Sequence, residues 1–251
     1  MEYTHTPAML PRFLAADLDP SRGTATLTEG EARHLTRVLR LGVGDCVAIF
    51  DGRGREFEAR VERIAGGDVW LQLDAPIAPA PERKAPLTLA QAVLKGSSMD
   101  DVVRDATMMG VAGIVPLVTA HTIAKRAASS HGAERWRRVA IASVKQCRRA
   151  RVPEVGEPIS FDAFRGQSRQ GTTLLLVEPS VGDVQPVPIR SLASQQPESA
   201  TLVVGPEGGW SADEVRASVA AGFVPITLGP LTLRADAAAF AALAALAVVW
   251  D

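Results

Sequence analysis

The chain contains few of the residues that cross-link small proteins or bind metal ions. Two cysteines, Cys46 and Cys147, and four histidines occur among 251 residues, and no two histidines stand at the spacing of a helical zinc site. Neither a disulfide framework nor a cysteine-rich zinc site is therefore expected. We predict a protein that binds no metal and is held together by a hydrophobic core, for which this length is sufficient.

Long hydrophobic runs are missing as well. The first twenty residues include acids and no continuous apolar stretch, so they are unlike a secretory signal. The most apolar segment, residues 235–251, is mostly alanine and shorter than the roughly 18 residues that cross a bilayer. We therefore predict a buried helix there, and a cytoplasmic protein without a membrane partner.

An excess of charge of one sign is confined to the middle of the chain. Residues 81–170 hold 15 Lys and Arg against 8 Asp and Glu, whereas the whole chain has a net charge of −1. The excess centres on residues 134–151, where seven cations accompany a single acid. Such a cluster predicts contact with a polyanion, although a solvated helix face produces the same pattern.

A proline-rich stretch divides the chain. Four prolines lie within residues 75–86, APIAPAPERKAP, and such a composition forms a stiff, extended connector. The predicted organisation is a first domain at 1–75, a linker at 76–86 and a second domain at 87–251.

The first domain is rich in short strands. Strands are predicted at 46–50, 55–64 and 68–73, with a hairpin turn after the first. Thr28 and Glu31 are spaced as a capping box before an apolar helix. Short strands with this spacing predict a small β-barrel.

The second domain alternates strands and helices. Strands are predicted at 87–94, 113–118, 173–178, 201–204 and 224–228, and Ser211 and Glu214 are spaced as a second capping box. Near-continuous apolar strands between helices indicate an α/β fold with a parallel sheet covered on both faces, and five or six strands are too few for a (β/α)8 barrel. Ligands bind beyond the carboxyl ends of such strands. Three segments fall there: Glu178–Ser180, Gly205–Gly209 and Gly229–Arg234.

The segment GPEGGWS differs from nucleotide-binding loops. It matches neither GxxxxGK[ST] nor GxGxxG, and Glu207 would repel a phosphate group. A neutral or cationic organic ligand suits it better, although Pro-Glu-Gly-Gly also forms a good turn without any ligand. Arg234, at the start of the last helix, opposes the helix dipole, which favours a role in binding.

The motifs GPEGGWSADEV and LGPLTLR resemble the RsmE family of 16S rRNA methyltransferases. Two further stretches, KGSSMDDVVRDATMMGVAGIVPL and ERWRRVAIASVKQCRRARVPEV, are similar to segments of that family in the same order. The resemblance implies a SPOUT-type, trefoil-knotted parallel-sheet domain after an N-terminal PUA-like small β-barrel. It also implies a homodimer that binds S-adenosylmethionine and methylates N3 of a uridine in 16S rRNA within the 30S subunit.

The same resemblance implies roles for individual residues. Arg234 would stabilise the uracil anion or hold a neighbouring phosphate, and Glu207 or Asp236 would accept the N3 proton. The expected cofactor-binding residues are Leu176, Val204, Gly205, Pro206, Gly208, Gly209, Leu228, Gly229, Leu233 and Ala237. The expected RNA contacts are Arg12, His34, Arg37, Arg40, Arg138, Lys145, Arg148 and Arg149, although His34 equally suits a packed helix position.

One departure from the family pattern keeps other functions open. The family's LRTETA is LRADAA here, with Ala235 and Asp236 replacing a threonine and a glutamate. The alternatives are a ribosome-assembly or RNA-binding factor of the same fold with little or no catalysis, and a SPOUT methyltransferase that acts on a different RNA.

Overall fold

A computed structural model of the chain describes residues 10–123, 130–179 and 184–251. The chain forms two compact units. The N-terminal unit comprises Met1–Pro81 and Val144–Val152, and the C-terminal unit comprises Glu82–Ser143 and Pro153–Asp251. The domain limits drawn from the proline-rich stretch stay a prediction, but no sequence signal indicated that Val144–Val152 packs with the N-terminal unit.

The N-terminal unit contains a five-stranded sheet. Its strands are β1 (Arg12–Leu14), β2 (Thr24–Leu27), β3 (Cys46–Phe50), β4 (Glu56–Ala65) and β5 (Asp68–Ile77). They lie in the order β1-β3-β4-β5-β2, and every neighbouring pair is antiparallel except β1 and β3. Helix α1 (Glu29–Arg33) continues into a π-helical turn at His34–Val38. The core is apolar, with Phe13, Leu27 and Leu71 fully buried.

The capping box predicted at the start of α1 is wrong. Thr28 precedes the helix, but its side chain makes no capping hydrogen bond. The Glu31 carboxylate instead accepts a hydrogen bond from the Leu14 N–H at 3.3 Å and pairs with Lys145. The acid that would complete the box is therefore engaged by contacts from distant parts of the chain.

The predicted hairpin between β3 and β4 is confirmed. Asp51 accepts hydrogen bonds from the N–H groups of Arg53 and Arg55 and from Arg55 Nε. Burial alone would raise the pKa of Asp51, but these hydrogen bonds outweigh it and hold the pKa below its usual value.

The C-terminal unit contains an eight-stranded sheet. The strands are β6 (Leu87–Ala92), β7 (Gly113–Val118), β8 (Glu154–Val155), β9 (Ile159–Ser160), β10 (Thr172–Leu176), β11 (Val187–Pro188), β12 (Ala200–Val204) and β13 (Val224–Thr227). The order is β11-β13-β10-β12-β6-β7-β8, with β9 beside β7, and all pairs are parallel. The helices are α2 (Ser98–Met108), α3 (Ser130–Cys147), α4 (Phe161–Arg165), α5 (Ala212–Ala220) and α6 (Ala235–Trp250), and a 3-10 helix spans Ile189–Ser194.

Hydrophobic clusters cover both faces of this sheet, as predicted. Val103 from α2 and Leu243 from α6 pack on one face, and Phe161 from α4 and Val215 from α5 pack on the other. The sequence did not predict β8, β9, β11 or α4, because segments of two to five residues are too short to show a periodic pattern. The strand pairings do not test the trefoil knot, which stays a prediction.

Helix α6 forms where the apolar C-terminal segment predicts one. Leu243 and Leu246 are buried, but Phe240 and Val248 are exposed. Among the described residues, no helix is both long and apolar enough to cross a membrane.

Candidate functional site

A cleft of ≈ 310 Å³ lies at the carboxyl ends of the neighbouring strands β12, β10 and β13. This volume suits a small organic ligand. The cleft brings together most of the residues that the sequence singled out: Leu176, Val204, Gly205, Pro206, Glu207, Gly209, Leu228, Leu233, Arg234 and Asp236. Gly208, Gly229 and Ala237 do not line it.

Further residues line the cleft. Glu178 lies two positions beyond β10, in the Glu178–Ser180 segment that the sequence placed at this edge without giving it a role. Leu94 and Ser98 lie beyond the end of β6 and reach the cleft because β6 neighbours β12 in the sheet, an order that the sequence does not reveal. Ser180, which the sequence also placed at this edge, lies outside the described residues.

The first loop of the cleft, residues 205–209, is here named the glycine loop. It contains a tight turn in which the Gly209 N–H donates to the Pro206 carbonyl oxygen at 3.0 Å, and Gly209 has a positive φ of 67°. A Cβ on Gly205 would lie 3.0 Å from the Trp210 ring, and a Cβ on Gly208 would lie 3.0 Å from His121 Cβ. The glycines are thus required because the loop is closely packed on more than one side.

Tertiary hydrogen bonds fix the ends of the glycine loop. The buried Trp210 donates from Nε1 to the Leu176 carbonyl oxygen at 2.9 Å, and Gln91 Nε2 donates to the Gly205 carbonyl oxygen at 3.3 Å. The Glu207 carboxylate accepts a hydrogen bond from the Lys95 N–H at 2.9 Å. Contacts within the protein therefore hold the loop in place.

The start of α5 anchors the same loop. Ser211 and Glu214 form the capping box that the sequence predicted. Glu214 also accepts a hydrogen bond from the Ala120 N–H at 2.8 Å, so the helix start is tied to the turn after β7.

The second loop of the cleft, residues 229–234, is much more exposed. Every residue from Pro230 to Arg234 is exposed, and Leu231 retains 76% of its accessible surface. Arg234 donates from Nη2 to Asp236 Oδ2 at 3.0 Å. Asp236 Oδ1 also accepts a hydrogen bond from the Ala237 N–H at 2.8 Å, close to the start of α6, where a negative charge is favoured.

Acidic groups outnumber basic ones in the cleft. Of the residues that the structure describes, Glu178, Glu207 and Asp236 line it together with one arginine, Arg234. Apolar side chains such as Leu176 and Val204 form part of its walls. This combination favours an organic ligand that carries positive charge over a phosphorylated one. Within the described residues, no group of His, Cys, Asp and Glu is arranged to hold a metal ion.

Comparison with known proteins agrees with this geometry. Residues 81–247 match the RNA methyltransferase domain, and residues 27–74 match the RNA methyltransferase PUA domain. The ribosomal RNA small subunit methyltransferase E of Synechocystis sp. is 33% identical over 94% of this chain and 77% of its own length. Its counterpart in Mycobacterium bovis is 30% identical over 97% of this chain and 95% of its own length.

This chain belongs to the ribosomal RNA small subunit methyltransferase E family. It is therefore an RNA methyltransferase with a PUA domain at its N-terminus. The Neisseria gonorrhoeae member, whose crystal structure contains bound S-adenosylmethionine, superposes with a TM-score of 0.82 at 26% identity, over 96% of this chain and 98% of that chain. The resemblance drawn from the two glycine-proline motifs is thereby confirmed.

The basic residues proposed as RNA contacts divide into buried and exposed groups. Arg12 is almost fully buried and forms an ion pair with Glu56 at 2.8 Å. Its remaining N–H groups donate to the carbonyl oxygens of Val144, Lys145 and Arg149, each at 2.9 Å. The guanidinium thus holds the end of α3 and is not presented to an RNA, contrary to the sequence-based expectation.

Two other basic side chains that were expected to contact RNA are also directed into the protein. Arg149 is 4% exposed, and Lys145 is partly buried in its ion pair with Glu31. His34 packs edge-on against Phe13 with ring centroids 5.7 Å apart, which supports the packed alternative. The expected contacts that remain on the surface are Arg37, Arg40, Arg138 and Arg148.

Proposed function

We propose that this chain uses S-adenosylmethionine to methylate N3 of one uridine in 16S rRNA, acting on the 30S subunit in the cytoplasm. The observation that carries the proposal is the cleft itself, where both Gly-Pro loops of the family motifs meet, at the ends of β12 and β13 on either side of β10. The uracil position and the 30S subunit come from the family resemblance.

The residues of the cleft suit S-adenosylmethionine. Its sulfonium and amino groups carry positive charge, which complements Glu178, Glu207 and Asp236, and its adenine and ribose need walls that are partly apolar. The glycine loop lets the backbone approach a ligand closely. When bound, the cofactor supplies a methyl group that is already activated on sulfur, so no metal is required.

The chain must then supply orientation, a proton acceptor and charge stabilisation. Holding the reactants in place makes the transfer effectively unimolecular. Loss of the N3 proton leaves an anionic uracil, and the exposed Arg234 guanidinium is suited to stabilise it or to hold an adjacent phosphate. Glu207 and Asp236 remain the two candidates for proton acceptor. Each already accepts a backbone hydrogen bond, which orients the carboxylate and leaves further lone pairs available.

The surface arginines are the proposed phosphate contacts. Arg37 and Arg40 belong to the N-terminal unit, and Arg138 lies on α3. Such contacts fix the position of an RNA without reading its sequence. The proposed phosphate contacts therefore do not by themselves select the target uridine.

Primer extension tests the proposed reaction. The protein and S-adenosylmethionine are incubated with 30S subunits that lack the modification, and the 16S rRNA is then reverse-transcribed. Because N3 lies on the pairing edge of uracil, we expect one new stop at a uridine that requires both protein and cofactor. A stop in another RNA would favour the different-RNA alternative, and cofactor binding without any stop would favour the non-catalytic factor.

A matched pair of arginine variants tests the site. Arg234→Ala should lower the rate of methyl transfer by about 10²-fold, the usual consequence of removing one group that stabilises a developing anion. Arg216→Ala is the control, because Arg216 is also exposed and paired with a nearby acid, Asp213, but lies on α5 outside the cleft. Equal activity of the two variants would remove Arg234 from the mechanism.

We further propose that the protein works as a homodimer, as the family resemblance implies. Support comes from α6, which is apolar on its outward side as well as its inward side: Phe240 and Val248 are 46% and 89% exposed. Exposed apolar patches of this kind mark interaction surfaces. Leu231 and Leu233, in the adjoining loop, are exposed as well.

Light scattering after size-exclusion chromatography tests the dimer. The wild-type protein should have twice the mass of one chain, and Val248→Glu should have the mass of a single chain because a buried, unpaired charge is costly. Val219→Glu, an exposed apolar position on α5, is the control. A monomeric wild type would contradict the proposal.

A further inference from the structure

The turn that follows β7 packs against the glycine loop. His121 Nδ1 lies 3.0 Å from the Gly208 carbonyl oxygen and 3.1 Å from the Gly209 carbonyl oxygen. Because both carbonyls can only accept, Nδ1 carries the hydrogen and donates to both. One side chain thus restrains two successive peptide groups of the loop.

His121 acts from outside the cleft. Neither it nor Gly208 lines the cavity, and a Cβ on Gly208 would lie 3.0 Å from His121 Cβ. A Cβ on Gly209, by contrast, would lie 3.1 Å from Glu178 Oε1, a residue that does line it. The loop is therefore held between His121 and the cleft, so any effect of His121 on a ligand must pass through the loop.

The turn that carries His121 is itself rigidly held. The Thr119 N–H donates to Thr122 Oγ1 at 2.9 Å, and the two hydroxyls lie 2.9 Å apart. Both threonines are buried. The next N–H along the chain, from Ala120, donates to Glu214 of the α5 capping box. His121 therefore projects from a fixed base.

The restraint has a consequence for the cleft. Since the peptide bond between Gly209 and Trp210 is trans, the C=O of Gly209 and the N–H of Trp210 point in opposite directions. The Gly209 carbonyl faces His121, so the Trp210 N–H faces away from it. Among the residues that the structure describes, no hydrogen bond uses that N–H, and both Gly209 and Trp210 line the cleft.

We propose that His121 is a positioning residue for cofactor binding: it fixes the Gly208 and Gly209 carbonyls so that the Trp210 N–H is presented to an acceptor on the ligand. The inference rests on the proposed function for the identity of that ligand. His121 would act on affinity for S-adenosylmethionine rather than on the methyl transfer itself.

Three variants of the full chain test this role. His121→Ala removes both hydrogen bonds, whereas His121→Asn keeps an N–H donor at nearly the same place as Nδ1. His131→Ala removes an exposed histidine on α3 that has no place in the cleft. Calorimetry gives the Kd for S-adenosylmethionine, and amide hydrogen exchange over residues 206–210 is measured without ligand.

We expect His121→Ala to raise the Kd about tenfold, as the loss of two ordinary hydrogen bonds implies. Exchange at the glycine loop should quicken, while kcat at saturating cofactor stays close to that of the wild type. His121→Asn should restore most of the affinity, and His131→Ala should match the wild type. A role limited to stability would lower the melting temperature but leave the Kd of the folded protein unchanged, and that result would overturn the proposal.

The two readouts keep this inference separate from the proposed function. If the wild-type chain binds no S-adenosylmethionine, the proposed function fails. Unchanged exchange in His121→Ala would show that His121 does not restrain the loop, whatever the ligand.

Discussion

The two loops of the cleft both begin with Gly-Pro, as GPEGGW and GPLTLR, but are held very differently. The glycine loop receives hydrogen bonds or close contacts from Gln91, Lys95, His121 and the buried Trp210. In the second loop, Pro230 to Arg234 are all exposed. The first loop is therefore held by contacts within the protein, whereas most of the second loop is exposed.

This difference suggests that the first loop serves cofactor binding and the second serves the RNA substrate. A preformed loop lowers the conformational cost of binding the cofactor. An exposed loop that carries Arg234 can adapt to a large substrate such as rRNA. Substitutions in the first loop should therefore affect folding and cofactor affinity together, and substitutions in the second should affect only function.

The largest expected effect on stability comes from Trp210→Ala. Trp210 packs against Phe161 with ring centroids 4.8 Å apart and donates to Leu176. Removing a buried aromatic side chain costs about 3–5 kcal/mol of unfolding free energy, and the loop should lose its conformation as well. Urea denaturation measures the cost. If Trp210→Ala lowers the free energy of unfolding by less than an ordinary surface substitution does, Trp210 does not hold the loop as described.

Gly208→Ala should have a smaller effect. The added Cβ would meet His121 Cβ at 3.0 Å, and because neither atom is at the end of a flexible chain, the backbone must move. Overpacking of this kind costs about 1–3 kcal/mol, and we expect weaker S-adenosylmethionine binding by calorimetry. Gly42→Ala is the control, because a Cβ there meets nothing within 4 Å. Identical behaviour of the two variants would argue against close packing at Gly208.

Leu231→Ser should have the smallest effect on stability and a clear effect on function. Leu231 is 76% exposed, so the unfolding free energy should change by no more than about 0.5 kcal/mol. If a ligand or a second chain covers Leu231, loss of this apolar contact should raise the Kd for that ligand or chain about tenfold. Val219→Ser, at an exposed position on α5, should alter neither quantity. A marked loss of stability in Leu231→Ser would abolish the contrast between the loops.

Local patterns in the sequence predicted the elements that place the cleft. The strand at 113–118 and the Ser211–Glu214 capping box appear as expected, because periodicity and capping depend on residues a few positions apart. The same rule failed at Thr28, where Glu31 is recruited by Leu14 and Lys145. A local motif holds only while no distant group competes for its side chain.

Surface charge was harder to infer. Seven cations accompany a single acid in residues 134–151, which indicated a basic face, yet Arg149 is buried and Lys145 is paired with Glu31. Arg12, which was expected to contact RNA, donates to the carbonyl oxygen of Arg149, 137 positions away. Composition counts charges, whereas the fold determines which of them meet solvent.

The sequence by itself determined the parallel α/β architecture, the position of both Gly-Pro loops at strand ends and the family to which the chain belongs. All of these follow from residues that are close together along the chain. Only the tertiary structure decided that β6 lies beside β12, that the Glu178 carboxylate lies against Gly209 and that His121 holds the glycine loop. These contacts join groups separated by about 30 to more than 100 positions along the chain. Segments that far apart meet only because the spatial order of the strands in the sheet brings them together.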